Sequence, residues 1–221
     1  MGYNNVLLDL DGTLTDPYLG IANSVIYALH KFNIIENDVN TLKFFIGPPL
    51  EKSFMEFYGF DHKKARMAIE YYREYYSAKG IFENKLYVNI ECVLKEIRKY
   101  GKKIILATSK PEAFALEVLV HFDIKKYFDD AVGSNMDGTL AEKYEIIKYI
   151  IEKNNLKKEE TIMVGDRKYD IIGAHENGIH SIAVMYGYGS KEELEEAKPT
   201  YFCSNVTDIL KTIVSPAHYA L

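Results

Sequence analysis

The sequence predicts an α/β protein with a doubly wound, three-layer parallel sheet and a helical domain inserted after the first strand. From about Leu86 onward, short apolar runs alternate with helical patterns, an order that requires parallel strands joined by right-handed crossovers. Between Thr15 and Leu86 no strand pattern occurs, and apolar residues recur at helical spacing. We therefore expect a core domain of residues 1–15 and 86–221 and a helical domain of residues 16–85.

The first predicted strand ends in two carboxylates. An apolar run beginning at Val6 leads to Asp9 and Asp11 and stops at Gly12, which starts a polar turn. In open α/β sheets, ligands bind at the carboxyl ends of the strands. Two acids this close do not both stay ionised without a cation or a shared proton, and Mg²⁺ suits such a site. The alternative is a loop with two solvated acids.

The region after the first strand is predicted to be helical. One helix begins near Pro17 and ends near Asn33, and two more cover Pro49–Tyr58 and Lys63–Lys79. Four tyrosines at positions 71, 72, 75 and 76 form a helix face that we interpret as packing rather than as a surface for stacking nucleobases. A Gly47-Pro48-Pro49 turn is either an ordinary interhelical connection or a substrate contact.

The alternating region after Leu86 justifies the parallel sheet. Its predicted helices are 90–100, 112–122, 143–153, 169–177 and one after Pro199, and its predicted strands are 103–107, 131–132, 161–164, 181–184 and one after Pro199.

Three of these elements carry polar side chains at their junctions. The strand ending at Ala107 is followed by Thr108 and Ser109, which either bind a phosphate oxygen or cap the next helix. Lys143 opens a helix, where a cation opposes the helix dipole unless an anion lies nearby. Asp166 and Asp170 follow a buried strand at one helical turn's separation, so they face one point or serve as N-terminal caps.

These four motifs, in this order and each at a strand end or helix start, resemble those of the haloacid dehalogenase-like superfamily. The first motif reads Asp-x-Asp-Gly-Thr-Leu-Thr from Asp9. The resemblance implies the fold described above, with the inserted domain as a helical cap. It implies phosphoryl transfer by the following residues: Asp9 as nucleophile, Asp11 as general acid/base, Thr108 and Lys143 on the phosphoryl group, and Gly12, Thr108 and Ser109 as phosphate contacts. Gly47, in the Gly-Pro-Pro turn of the helical segment, is the candidate substrate contact.

The resemblance also implies a Mg²⁺ cofactor. Its expected ligands are Asp9, the backbone carbonyl of Asp11 and Asp166, with Asp170 binding through water or orienting Asp166. Lys143 is the best match for the lysine of the third motif, although Tyr144 stands where many relatives have proline. Lys110 is the alternative amine for a phosphate contact.

The expected substrate is a small phosphorylated metabolite. The helical segment resembles that of phosphoglycolate phosphatases and pyrophosphatases, and it lacks the arginine pair that β-phosphoglucomutases use for a second phosphate, so we expect hydrolysis of a phosphoglycolate-like monoester. A nucleotidase, an inorganic pyrophosphatase and a phosphomutase remain open. From another class, a phosphorylation-dependent signalling module also combines clustered Asp, Thr, Lys and Mg²⁺, although its acceptor lies on a mid-chain strand.

The charge composition limits the classes of partner that the protein is expected to bind. The net charge is -5 and the pI about 5.7, which gives no basic surface for a nucleic acid polymer or an anionic membrane. No leader peptide or membrane-spanning run is evident, so we expect a cytoplasmic protein. Cys92 and Cys203 lie far apart in the sequence, and we expect both to be reduced core thiols. The sequence does not determine the oligomeric state.

Overall fold

Residues 2–215 are described here from a computed structural model. Residues 216–221, which the sequence assigns to the end of the core domain, lie outside the described residues. The strands are β1 Asn5–Leu8, β2 Thr15–Asp16, β3 Lys85–Leu86, β4 Lys103–Pro111, β5 Asp130–Ser134, β6 Thr161–Gly165, β7 His180–Val184 and β8 Tyr201–Cys203. The helices are α1 Tyr18–His30, α2 Leu50–Tyr58, α3 His62–Ala78, α4 Ile90–Lys99, α5 Glu112–His121, α6 Lys143–Asn154, α7 Lys168–Glu176, α8 Lys191–Ala197 and α9 Val206–Val214.

The chain forms two compact units. The helical unit is Pro17–Lys85, and the α/β unit contains residues 2–16 and 86–215 of the described chain. The short strands β2 and β3 pair with each other. They occupy the two places where the chain passes from one unit to the other.

The α/β unit contains a parallel sheet of six strands in the order β5-β4-β1-β6-β7-β8. Leu8 of β1 pairs with Leu106 of β4 on one side and with Val164 of β6 on the other. Helices α6 and α7 cover one face, where Ile146, Ile150 and Ala174 belong to the same buried cluster as Leu7 and Met163. The predicted doubly wound fold is confirmed. Because β1 is central and buried on both faces, it reads as a continuous apolar run.

The helical unit is organised by α3. This helix packs against α1 and α2. Tyr72 and Tyr76 are buried and stack with ring centroids 5.3 Å apart, whereas Tyr71 and Tyr75 are half-buried. These tyrosines therefore pack as the helical spacing predicts. A 3₁₀ segment, Val39–Phe45, precedes the Gly-Pro-Pro turn and was not expected from the sequence.

Besides the 3₁₀ segment and the short strands β2 and β3, which were not expected, three local features differ from the sequence-based expectation. Strand β4 continues to Pro111 rather than ending at Ala107, with a register shift between those two residues. Helix α8 was not expected because it is mostly charged and buries only Leu194. Cys203 is buried as expected, but Cys92 is exposed. Cys92 lies on α4, of which only one face is covered. Within residues 2–215, no helix combines the length and apolarity needed to cross a membrane.

Candidate active site

The predicted functional residues of the α/β unit meet at one edge of its sheet. Strands β4, β1 and β6 are neighbours in the sheet. Thr108 lies in the last part of β4, Asp9 directly follows β1, and Asp166 directly follows β6. All three residues are buried. Parallel strands end at the same edge, so the three positions are adjacent for reasons of topology. Residues 157 positions apart in the sequence thereby share one site.

Lys143 lies between two carboxylates of this site. Its Nζ is 2.8 Å from Oδ1 of Asp9 and 2.7 Å from Oδ1 of Asp170, and it donates to the carbonyl of Ala107 at 3.0 Å. The lysine is the first residue of α6 and only 5% exposed. Its unfavourable position at a helix N-terminus is therefore balanced by two anions.

Asp166 is held in a tight backbone setting. Its Oδ1 accepts from the Thr13 hydroxyl at 3.3 Å, and its Oδ2 accepts from the Tyr188 amide at 2.7 Å. A Cβ at Gly12 would lie 2.2 Å from Oδ2 of Asp166, and a Cβ at Gly187 would lie 2.3 Å from its Cβ. Gly12 also has φ of +86°. Only glycine lets the two loops approach this carboxylate so closely.

Asp170 is positioned by the start of α7. Its Oδ2 accepts from the backbone amide of Arg167 at 3.1 Å, while its Oδ1 faces Lys143. A Cβ at Gly165 would lie 2.1 Å from the Asp170 Cγ. Asp170 therefore caps the N-terminus of its helix and also belongs to the acid cluster. The two interpretations of this motif, a helix cap and a member of a common site, are both compatible with its position.

Asp11 is paired with Lys110. The Lys110 Nζ donates to Oδ2 of Asp11, and both side chains are nearly buried, at 6% and 12% exposure. Among the described residues, no hydrogen-bond partner faces Oδ1 of Asp11. One oxygen of this carboxyl is thus available to another group, while the other is fixed by the lysine.

Three acids of the site, Asp166, Asp170 and Asp11, resist ionisation. Burial, followed by the charges of Asp9 and Asp170, raises the pKa of Asp166 well above its usual range. Burial raises the pKa of Asp170 to about 6, against the attraction of Lys143. Burial also raises the pKa of Asp11, against the opposing effect of Lys110. For Lys143, burial lowers the pKa but Asp170 and Asp9 outweigh it, so this amine stays protonated.

The donor set fits a hard divalent cation. Asp9, Asp166 and Asp170 are buried, and one carboxylate oxygen from each lies within 4.8 Å of the others. When ionised, these three acids exceed the single positive charge of Lys143 by two units. Oxygen-only ligands favour Mg²⁺ over zinc. A buried cluster with this excess of acidic groups is one that a bound divalent cation would neutralise.

The remaining predicted contacts are placed as follows. Thr108 is buried, and its Oγ1 accepts from the Lys110 amide at 3.3 Å. Ser109 is half-buried, and its carbonyl accepts from the Ser134 hydroxyl at 2.9 Å. Gly47 belongs to the helical unit and has φ of +107°. Thr108 and Ser109 thus follow the same strand edge, while Gly47 lies in the other unit.

Two contributors to the site were missed by the sequence reasoning. Thr13 contacts Asp166, although its sequence context is that of an ordinary turn residue. The Gly187-Tyr188 segment follows β7, and the Tyr188 amide also contacts Asp166. The same rule that selected Asp9 and Asp166 would have found the second one. The available signal was the stretch 187–189, which holds two glycines and begins three positions after the end of a buried strand.

Comparison with known proteins places this site in a family. The family model described as haloacid dehalogenase-like hydrolase matches residues 6–184. A 5'-nucleotidase of Pseudomonas aeruginosa is 41% identical over 96% of this chain and 96% of its own length. A phosphoglycolate phosphatase of Vibrio parahaemolyticus is 28% identical over 96% of each chain.

A solved structure agrees with these relatives. The crystal structure of a predicted phosphatase from Clostridium acetobutylicum has a TM-score of 0.94 and 49% identity, over 97% of this chain and 99% of the other. The resemblance drawn from the four motifs is confirmed. The chain belongs to the haloacid dehalogenase-like hydrolase family, and it is a phosphatase.

Proposed function

We propose that the protein is a Mg²⁺-dependent phosphatase that hydrolyses a small phosphate monoester through an aspartyl-phosphate intermediate. The observation that carries this proposal is the buried cluster in which Lys143 lies between Asp9 and Asp170 beside Asp166. A cluster with fixed cationic and acidic groups at a strand edge suits a transferring phosphoryl group.

The cation is assigned to the carboxylates of Asp9 and Asp166 and the backbone carbonyl of Asp11. Asp170 binds it through water or orients Asp166. When bound, Mg²⁺ supplies positive charge that offsets the carboxylates and the phosphoryl oxygens.

In the first step, a carboxylate oxygen of Asp9 attacks phosphorus, and the bond between phosphorus and the leaving oxygen breaks. Thr108 donates a hydrogen bond to a phosphoryl oxygen, and the Lys143 ammonium neutralises charge there. Asp11 donates its proton to the leaving alcohol. Burial favours the protonated form of Asp11, which is the form this step requires.

In the second step, water attacks the phosphorus of the aspartyl phosphate. Asp11, now ionised, takes a proton from that water, and the bond between phosphorus and Asp9 breaks to release phosphate and restore the Asp9 carboxylate. Lys110 holds Oδ2 of Asp11, so the orientation of the acid/base is the same in both steps.

The helical unit is proposed to act as the cap that selects the leaving group. Its insertion point supports this role, because the chain leaves the α/β unit at Asp16, five residues after Asp11. The residues that handle the phosphoryl group do not distinguish one leaving alcohol from another, so selection requires another part of the chain. Gly47 and the following prolines are the proposed contact.

The substrate class has two proposals supported by relatives. The Pseudomonas aeruginosa 5'-nucleotidase, at 41% identity, favours a nucleoside 5'-monophosphate. The Vibrio parahaemolyticus phosphoglycolate phosphatase, at 28% identity, favours a small phosphorylated carboxylic acid. We place the nucleotide first because the identity is higher over the same coverage.

The test is steady-state phosphate release from a panel of nucleoside 5'-monophosphates, phosphoglycolate, pyrophosphate and p-nitrophenyl phosphate, with Mg²⁺ and with EDTA. We expect repeated turnover that EDTA abolishes and the highest kcat/KM for a monoester. If a substrate labelled in its phosphoryl group is used and the reaction is quenched with acid, some of the label should remain bound to the protein. Hydroxylamine should then release this label, as expected for an acyl phosphate. Stable labelling without turnover would instead support the signalling module, and fastest release from pyrophosphate would support the pyrophosphatase.

A further inference from the structure

The segment that follows β7 wraps around Asp166. Tyr186, Gly187, Tyr188 and Gly189 follow that strand, which ends at Val184, with one residue between. The amide of Tyr188 donates to Oδ2 of Asp166 at 2.7 Å, and the amide of Gly189 donates to the Asp166 carbonyl at 3.1 Å. Successive amides of one loop therefore bind both the side chain and the backbone of the same acid.

The two glycines make this contact feasible. A Cβ at Gly187 would lie 2.3 Å from the Asp166 Cβ and 2.5 Å from the Gly12 carbonyl oxygen, and a Cβ at Gly189 would lie 2.1 Å from the Asp166 carbonyl oxygen. Backbone atoms cannot move aside as a flexible side chain can. The loop thus has little freedom at its glycines, and its position is coupled to that of Asp166.

The two tyrosines fasten the loop to the segment that follows β1. The Tyr186 hydroxyl donates to the Thr13 carbonyl at 2.8 Å, and the Tyr188 hydroxyl donates to Oδ1 of Asp16. The Tyr186 ring also packs edge-on against Tyr87 with centroids 4.9 Å apart. Burial and the hydrogen bond to Asp16 raise the pKa of Tyr188, so its phenol remains a donor at neutral pH.

We propose that Tyr188 is a positioning residue that sets the affinity of the site for its divalent cation, by linking Asp16 through its phenol to Asp166 through its amide. This inference rests on the proposed function, since it takes Asp166 as a cation ligand. Groups that orient a metal ligand typically change metal affinity or activity by about 10–100-fold when they are lost. The phenol acts one step further from the ligand, so the lower end of that range applies.

The test compares Tyr188→Phe with the wild-type enzyme by calorimetric titration with Mg²⁺ in the absence of substrate. We expect the Kd for Mg²⁺ to rise about tenfold. A matched control is Tyr201→Phe, which removes a phenol hydrogen-bonded to Tyr3 at 3.0 Å in the same unit. This control should leave the Kd for Mg²⁺ unchanged.

A second variant tests the same bond from its other end. Asp16→Ala should raise the Kd for Mg²⁺ as Tyr188→Phe does, and the double variant should be no worse than either single one, because both remove one interaction. Asp16→Asn keeps an acceptor oxygen and should restore most of the affinity. If Tyr188→Phe does not fold, this pair of Asp16 variants decides the question.

The outcomes separate this inference from the proposed function. A wild-type enzyme that binds no Mg²⁺ would overturn both. A wild-type enzyme that binds Mg²⁺ with the same Kd as Tyr188→Phe and Asp16→Ala would overturn only the role of Tyr188. An equal loss of affinity in Tyr201→Phe would also overturn it, because the effect would then reflect general loosening of the unit.

Discussion

In the absence of a divalent cation, we expect the buried carboxyl group of Asp170 to make the stability of the fold depend on pH. Asp170 has a pKa raised from its ordinary value of 3.8 to about 6, with burial as the largest cause. The folded protein therefore binds a proton more readily than the unfolded chain does. The resulting stabilisation is complete below pH 3.8 and is lost as the pH rises to about 6.

The magnitude follows from the size of this shift. One pKa unit corresponds to about 1.4 kcal/mol, so the ionised form of Asp170 costs the metal-free fold about 3 kcal/mol at pH 7.5. Asp170→Asn keeps the shape of the side chain and removes its charge. We expect this variant to be more stable than the metal-free wild type by up to about 3 kcal/mol at pH 7.5, with the difference disappearing near pH 4.

The assay is thermal unfolding in EDTA between pH 4 and pH 7.5, followed by circular dichroism. For a chain of this size, about 3 kcal/mol corresponds to a Tm about 6–12 °C higher for Asp170→Asn at pH 7.5. Adding Mg²⁺ should reverse the order, because it stabilises the wild type more. Asp123→Asn is the control, since that side chain is 85% exposed and its loss should change stability by less than about 0.5 kcal/mol.

Two results would contradict the destabilising effect assigned to Asp170. If Asp170→Asn is less stable than the metal-free wild type at pH 7.5, the ion pair with Lys143 outweighs the cost of burying the acid. If the difference between the two proteins does not change with pH, Asp170 does not titrate in this range. Either result would remove the main argument that the cluster needs a cation.

Three further predictions concern the reaction. Asp9→Asn should abolish turnover without lowering the metal-free Tm, because an amide does not attack phosphorus and the loss of one clustered charge relieves repulsion; measurable kcat with any monoester would contradict the covalent role. Asp11→Asn should lose roughly 10²–10⁴-fold in kcat for alkyl phosphates and much less for p-nitrophenyl phosphate, whose leaving group needs no proton; equal losses on both would contradict the acid role. In the helical unit, Pro48→Ala should lower kcat/KM for the preferred metabolite but not for acetyl phosphate, and an unchanged ratio would exclude the turn from substrate selection. Proline is the better target there because Gly47, at φ of +107°, would be strained by any side chain and would lose stability whatever its role.

The sequence by itself determined the layers of the α/β unit and the positions of its four motifs. Strands that are buried on both faces are mostly apolar, and the turns that follow them are polar. Asp9, Thr108 and Asp166 could therefore be identified in the sequence as polar residues at the ends of apolar runs. Their meeting at one edge follows from parallel pairing. Lys143 was a candidate because a lysine at a helix start is unfavourable unless an anion lies nearby, and because it matched the third motif of the resembled family.

Only the tertiary structure decided which partner each group takes. The pairing of Lys110 with Asp11, and of Lys143 with both Asp9 and Asp170, depends on the order β4-β1-β6 and on side-chain reach, neither of which has a local signature. The amide of Tyr188 reaches Asp166 because β7 lies next to β6 in the sheet. The spacing of residues in the sequence indicates which residues follow a strand. The contacts between residues at different strand ends arise from packing, so only the tertiary structure determines them.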